Sequence, residues 1–144
     1  EDGYVMDFGV LKKVVRALCK EAKEHFLLPM ASDVLRIEKT DAPKGDNGKL
    51  VCPTEELQQN PAGGEKKGYI HIYCEDGAYY CMPEEDCFFL PTVHSTAEEL
   101  ACYFWFRIIK ELGLDDMQKR HIQEMEVIVA ESPIQQASFT KSIE

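Results

Sequence analysis

The sequence contains no apolar run approaching the roughly 20 residues that a membrane-spanning helix requires, so no membrane span is expected. It also has no basic excess: 16 Lys and Arg stand against 26 Asp and Glu, a net charge of −10. Phosphate binding needs clustered cations, so a nucleic-acid partner is not expected either. Acidity of this degree serves solubility. None of the six cysteines forms a C-x(2–4)-C pair or sits beside a spaced His pair, so no metal ligands are assigned in the chain. Reduced thiols in a cytoplasmic protein are the simpler expectation. The opening Glu1-Asp2-Gly3-Tyr4 lacks the pattern of a signal peptide, and the missing initiator Met points to a processed or trimmed product.

What is present is a globular composition, 44% hydrophobic and 29% charged over 144 residues, enough for one domain with its own core. The reading is a single domain over residues 1–144 with an insertion at 40–90. Tyr4 to Phe8 reads as the tail of a strand entering a helix, with Asp7 positioned to cap it. From Val10 to Phe26, Leu11, Val14, Val15, Leu18, Ala22 and Phe26 recur at the period of an amphipathic helix, which Pro29 stops. Val34–Glu38 is a short strand. Residues 40–67, rich in Gly, Pro, Asn, Asp and Lys, read as a long insertion.

Gly68–Cys74 and Ala78–Met82 flank Asp76-Gly77, a hairpin signal. A two-residue turn there would pair Cys74 with Tyr79 and Ile72 with Cys81. Ser95-Thr96-Ala97-Glu98 has the spacing of a capping box and opens a helix through Leu112, closed by Gly113 and apolar nearly all round. Ile122–Glu131 is a strand with Met125, Val127, Val129 and Glu131 on one face, and Ala137–Ile143 returns as another. Helices that follow antiparallel pairing, without alternating with parallel strands, indicate α+β.

Three separated stretches resemble one family. Gly3-Tyr4-Val5-Met6-Asp7-Phe8-Gly9-Val10-Leu11-Lys12 is similar to the G-x-V-x-D-F-x-x-L-K segment of 6-pyruvoyl- and 6-carboxytetrahydropterin synthases. Ser95 to Ala101, continuing to Tyr103 and Trp105, resembles their S-T-x-E-N-x-A-x-Y-x-W helix start. Val127–Ser132 resembles their V-x-V-x-E-T strand, and Glu24 to Pro29 sits where they have D-H-x-x-L. Tyr79 to Thr92 resembles a branch with an extra hairpin before the second helix.

The resemblance implies a tunnelling fold: an antiparallel sheet with two helices on one face, assembled into trimers or hexamers with the pterin site between subunits. The reaction it implies eliminates triphosphate from 7,8-dihydroneopterin triphosphate, giving 6-pyruvoyltetrahydropterin or the 6-carboxy product. Glu131 would accept the two adjacent donors of the pterin edge bidentately; without the family it reads as a solvated carboxylate. Thr96 and Glu98 match residues that help hold the ring, although Ser95 and Glu98 also make a capping box. His25 matches the proton-shuttling histidine, with Glu24 where Asp is usual; by spacing alone it is a packed histidine on the helix's inner stripe. His71, His94 and His121 match no family position and read as hairpin-face, loop and strand-edge residues.

The resemblance also implies zinc, held by three histidines upstream of the matching region with the catalytic cysteine between them. Neither those histidines nor that cysteine is in this sequence. Two readings follow: a zinc-dependent lyase whose N-terminal hairpin lies outside this sequence, or a non-catalytic pterin-binding or assembly subunit. A tunnelling-fold aldolase or cyclohydrolase would share the carboxylate anchor but not the other two motifs.

Overall fold

A computed structural model describes residues 5–41 and 68–143 of the chain. In chain order these form α1 (Phe8–Ala22), β1 (Phe26–Pro29), β2 (Leu35–Asp41), β3 (Gly68–Cys74), β4 (Tyr79–Pro83), a 3-10 turn (Glu84–Asp86), β5 (Cys87–Leu90), α2 (Ala97–Leu112), α3 (Leu114–Lys119), β6 (Glu124–Ser132) and β7 (Gln135–Ser142). The α+β expectation holds. Most of the 40–67 insertion, Cys52 and the first two residues of the G-x-V-x-D-F stretch lie outside the described residues. Among the described residues no helix is long and apolar enough to cross a membrane.

The chain divides into two compact units, Glu1–Asp33 with Phe88–Glu144, and Val34–Cys87. In the first, α2 lies against the antiparallel pair β6–β7, and α1 packs on α2. The core is Trp105, Ile109, Met117 and Ile143, joined by Met125 and Val127 of β6 and Phe139 of β7. Met125, Val127 and Val129 take the inner face as the alternation requires, while Ile128 points outward and is half exposed. Trp105 donates Nε1–H to the Met125 carbonyl at 2.8 Å, so the largest core side chain also fixes α2 along β6. Arg107 ties α2 to α1, donating to Tyr103 Oη at 2.7 Å and to the Glu21 carboxylate at 3.0 Å.

Four expectations are corrected in this unit and one short helix is added. The amphipathic pattern runs to Phe26, but α1 ends at Ala22: Lys23 leaves the helical conformation and Glu24 takes φ +60°. His25 therefore follows a left-handed turn and is exposed, not packed on the helix stripe. The second helix is not apolar all round in its burial. Ala97, Ala101, Trp105, Ile108 and Ile109 form one buried stripe, and Phe106 is half exposed. Residues 114–119 form α3, where Gly113 at φ +86° permits the sharp turn out of α2. His121, at φ +57°, is a turn residue before β6 and not a strand-edge residue.

The second unit is the antiparallel sheet β2-β3-β4. Ile70 and Ile72 are buried, with Leu35 and Ile37 half-buried on the same face. The hairpin register departs from the expected one. Tyr73 pairs with Tyr79, Ile72 with Tyr80 and His71 with Cys81. Cys74 N–H donates to the Ala78 carbonyl at 2.8 Å, so the turn has three residues, Glu75-Asp76-Gly77. Gly77 at φ +88° supplies the left-handed position that such a turn demands, and the Asp76 carboxylate accepts from Ala78 N–H at 2.9 Å. The five described cysteines, Cys19, Cys74, Cys81, Cys87 and Cys102, are all free thiols, as expected.

Candidate functional site

The site residues expected from sequence fall on three segments of the first unit: the α1–β1 turn, the link from β5 to α2, and the end of β6. Each has a distinct local cause.

At the α1–β1 turn, His25 Nδ1 lies 2.6 Å from the Lys23 carbonyl oxygen. A carbonyl can only accept, so Nδ1 carries the proton and the neutral ring presents Nε2 as its open lone pair. That is the form of a general base. Glu24 does not support it as a carboxylate partner would. Its side chain points into solvent and its nearest cation is Lys23 Nζ at 3.5 Å. Glu24 makes no bond to His25 among the described residues, and the chain's own carbonyl orients the imidazole.

The link from β5 to α2 is more heavily bonded than its sequence suggests. The capping frame is one residue later than expected: Thr96, not Ser95, is the N-cap, and its hydroxyl oxygen accepts from Glu99 N–H at 3.4 Å. Glu99, not Glu98, reaches back, accepting from His94 N–H at 2.6 Å and Val93 N–H at 3.3 Å. Thr92 donates its hydroxyl to the His94 carbonyl at 2.7 Å, and Thr92 accepts Ala31 N–H from beyond β1 at 2.9 Å. Glu98 is consequently exposed with no hydrogen bond among the described residues, and the Thr96 hydroxyl proton is still available to donate. Sequence reasoning missed Glu99 although the spacing carried the signal, because the S/T-x-x-E pattern occurs twice in Ser95–Glu99.

At the end of β6 the ladder slips. Ala130 pairs with Gln136, but Ser132 pairs with Gln135, which leaves Glu131 as the extra residue of a β-bulge. A bulge bends the strand and re-aims the residue that it frees. Glu131 is exposed and has no hydrogen-bond or ion-pair partner among the described residues. Beside it, the Ser132 hydroxyl is buried without a partner.

None of His25, Glu24, Thr96, Glu98 and Glu131 bonds to another of the set. The described cleft in this unit, lined by Met6, Asp7, Val10, Leu112, Asp116 and Arg120 among others, contains none of them. At ≈ 120 Å³ it falls below the roughly 300 Å³ from which small-molecule pockets start. The described residues contain no group of three or more His, Cys, Asp or Glu side chains able to hold a metal ion. The zinc that the resemblance implies therefore does not fit the residues described, and no chemical step is assigned to it.

In the second unit, His71 is held at both ring nitrogens, Nε2 2.8 Å from Thr40 Oγ1 and Nδ1 2.6 Å from Tyr79 Oη. It lies on the hairpin face as expected. The Tyr79 hydroxyl is pushed above its ordinary pKa, first by desolvation and then by its hydrogen bond to Cys81.

Comparison with known proteins supports the sequence resemblance. The family model for 6-pyruvoyl tetrahydropterin synthase matches residues 1–142. A putative 6-carboxy-5,6,7,8-tetrahydropterin synthase of Methanocaldococcus jannaschii is 27% identical over 144 residues, covering 98% of this chain and 69% of the relative. The crystal structure of 6-pyruvoyl tetrahydropterin synthase from Plasmodium vivax is 35% identical with a TM-score of 0.76, over 98% of this chain and 71% of that one. The Plasmodium falciparum enzyme is 35% identical with a TM-score of 0.75, over the same shares of the two chains.

Proposed function

The chain belongs to the 6-pyruvoyl tetrahydropterin synthase family, and on that premise we propose that it binds a pterin through Glu131 and serves in a lyase of pterin biosynthesis. The reaction is conversion of 7,8-dihydroneopterin triphosphate to 6-pyruvoyltetrahydropterin, or to the 6-carboxy product, with release of triphosphate. The observation that carries the reading is the β-bulge at Glu131, which leaves an exposed carboxylate unpartnered at the end of the V-x-V-x-E strand. Two carboxylate oxygens match the adjacent ring N–H and 2-amino donors of a pterin, and charge assistance strengthens both bonds.

Thr96 donates its remaining hydroxyl proton to the ring, and Glu98 faces the ligand as a second acceptor. His25 takes and returns protons at Nε2, its Nδ1–H being held by Lys23. Glu24, with its carboxylate by Lys23, serves no more than a supporting electrostatic role. The family reading places the site between copies, in a homo-oligomeric trimer or hexamer, and a cytoplasmic location belongs to the same proposal. The single-domain reading of residues 1–144, with an insertion at 40–90, belongs to the same proposal.

Incubation with 7,8-dihydroneopterin triphosphate tests the activity. Release of triphosphate with formation of a 6-substituted tetrahydropterin supports the lyase. A second reading, a pterin-binding or assembly subunit without turnover, is favoured by the Glu24 carboxylate, which lies by Lys23 and makes no bond to His25 among the described residues. Binding without turnover selects it. A protein that neither binds nor converts the compound overturns both readings.

A further inference from the structure

We infer that Glu99 is a positioning residue, whose carboxylate clamps the Val93–Thr96 link and thereby fixes the hydroxyl of Thr96 for the ligand; the inference rests on the pterin reading above. The clamp consists of two consecutive backbone donors converging on one side chain. Glu99 Oε2 accepts His94 N–H at 2.6 Å, and Oε1 accepts Val93 N–H at 3.3 Å. The first is short even for a charge-assisted bond, and it ties a first-turn residue of α2 to the peptide two residues before its cap. Thr92 closes the link from the other side, donating to the His94 carbonyl at 2.7 Å. The His94 residue is thus held at its own N–H and its own C=O, on an exposed connection that would otherwise be free to move.

The chemistry requires a carboxylate. The corresponding position of the S-T-x-E-N motif carries Asn, whose side chain has one acceptor oxygen and an NH2 group. Two N–H donors side by side can be satisfied by two carboxylate oxygens, whereas an amide turns its own donors toward one of them. The N-terminal end of α2 also favours a negative charge there. Glu98, the neighbouring acid, makes no such bond and stays open toward solvent, so the two adjacent glutamates have different tasks.

Glu99→Gln, which preserves volume and removes one acceptor, separates the possibilities. Amide hydrogen exchange at Val93 and His94 should quicken by about tenfold or more, the range for losing a hydrogen bond to a charged group. The dissociation constant for neopterin should rise about five- to tenfold, and KM for 7,8-dihydroneopterin triphosphate should rise with kcat within about twofold, since the residue holds the ligand contact and not the reacting atoms. Unchanged exchange would overturn the clamp. Faster exchange with unchanged neopterin affinity would overturn its coupling to the site. If the unaltered protein binds no neopterin, the pterin reading fails, while the exchange rates still decide whether Glu99 orders the link.

Discussion

At the residue scale, three side chains take their chemistry from their immediate surroundings. His25 is fixed by the Lys23 carbonyl, so its neutral form should be the Nδ1–H tautomer. Ring nitrogen chemical shifts of the neutral imidazole will show Nε2 unprotonated; a protonated Nε2 would contradict the geometry. Cys87 is buried, and burial, assisted by Asp86 and Glu84, raises its thiol pKa. The unfolded chain loses that proton more readily, so folding gains stability from the neutral thiol below the unfolded cysteine pKa of about 8.5 and loses it as pH climbs toward the raised folded value. The melting temperature should therefore fall between about pH 8 and 10, and fall less in Cys87→Ala. An equal fall in both would assign the effect elsewhere. Glu131 needs no neighbour, because the bulge alone frees it.

At the element scale, the capping frame of α2 is a direct test of which bonds matter. Thr96→Ala removes the N-cap acceptor and should cost about 1 kcal/mol of stability, whereas Ser95→Ala, outside the frame, should stay within about 0.5 kcal/mol of the parent. Denaturant titration of both variants decides it, and the reverse order would restore the Ser95 frame. Gly68 offers a second test. A Cβ there would stand 2.7 Å from the Thr40 carbonyl oxygen, so Gly68→Ala should disrupt the β2–β3 edge and lower the melting temperature. The hairpin existed in the sequence as alternating aromatic and β-branched residues around Asp76-Gly77. Its register did not, because two- and three-residue turns both place a glycine at positive φ. Similarly, the α1 stripe continued to Phe26 by spacing, but the backbone turned at Glu24, where no glycine or proline marked the stop.

At the scale of the whole molecule, the two units differ in how far their sequence foretold them. The alternation Met125, Val127, Val129 and the single tryptophan of α2 specified the inner face of β6–β7, and Trp105 sits at its centre. Trp105→Ala should cost about 3–5 kcal/mol in unfolding free energy followed by far-ultraviolet circular dichroism, since a large core side chain and the Met125 carbonyl's partner are lost together. A cost within 1 kcal/mol would mean that α2 is not anchored through it. The separate segments of the site were legible through short motifs, each tied to one element. Their mutual placement was not, because a short motif fixes a residue on its own element and says nothing of which other element comes near it. The β-bulge was equally hidden: Glu131 continued the two-residue alternation, and only the pairing of Ser132 with Gln135 shows that it leaves the ladder.

The central claim is that Glu131 is the pterin anchor, and neopterin titration of the parent protein and of Glu131→Gln tests it most directly. The account predicts saturable binding by the parent, a loss of about tenfold or more in the variant, and unchanged melting temperatures, because the carboxylate is exposed and unpartnered. Equal affinities in the two proteins would contradict it.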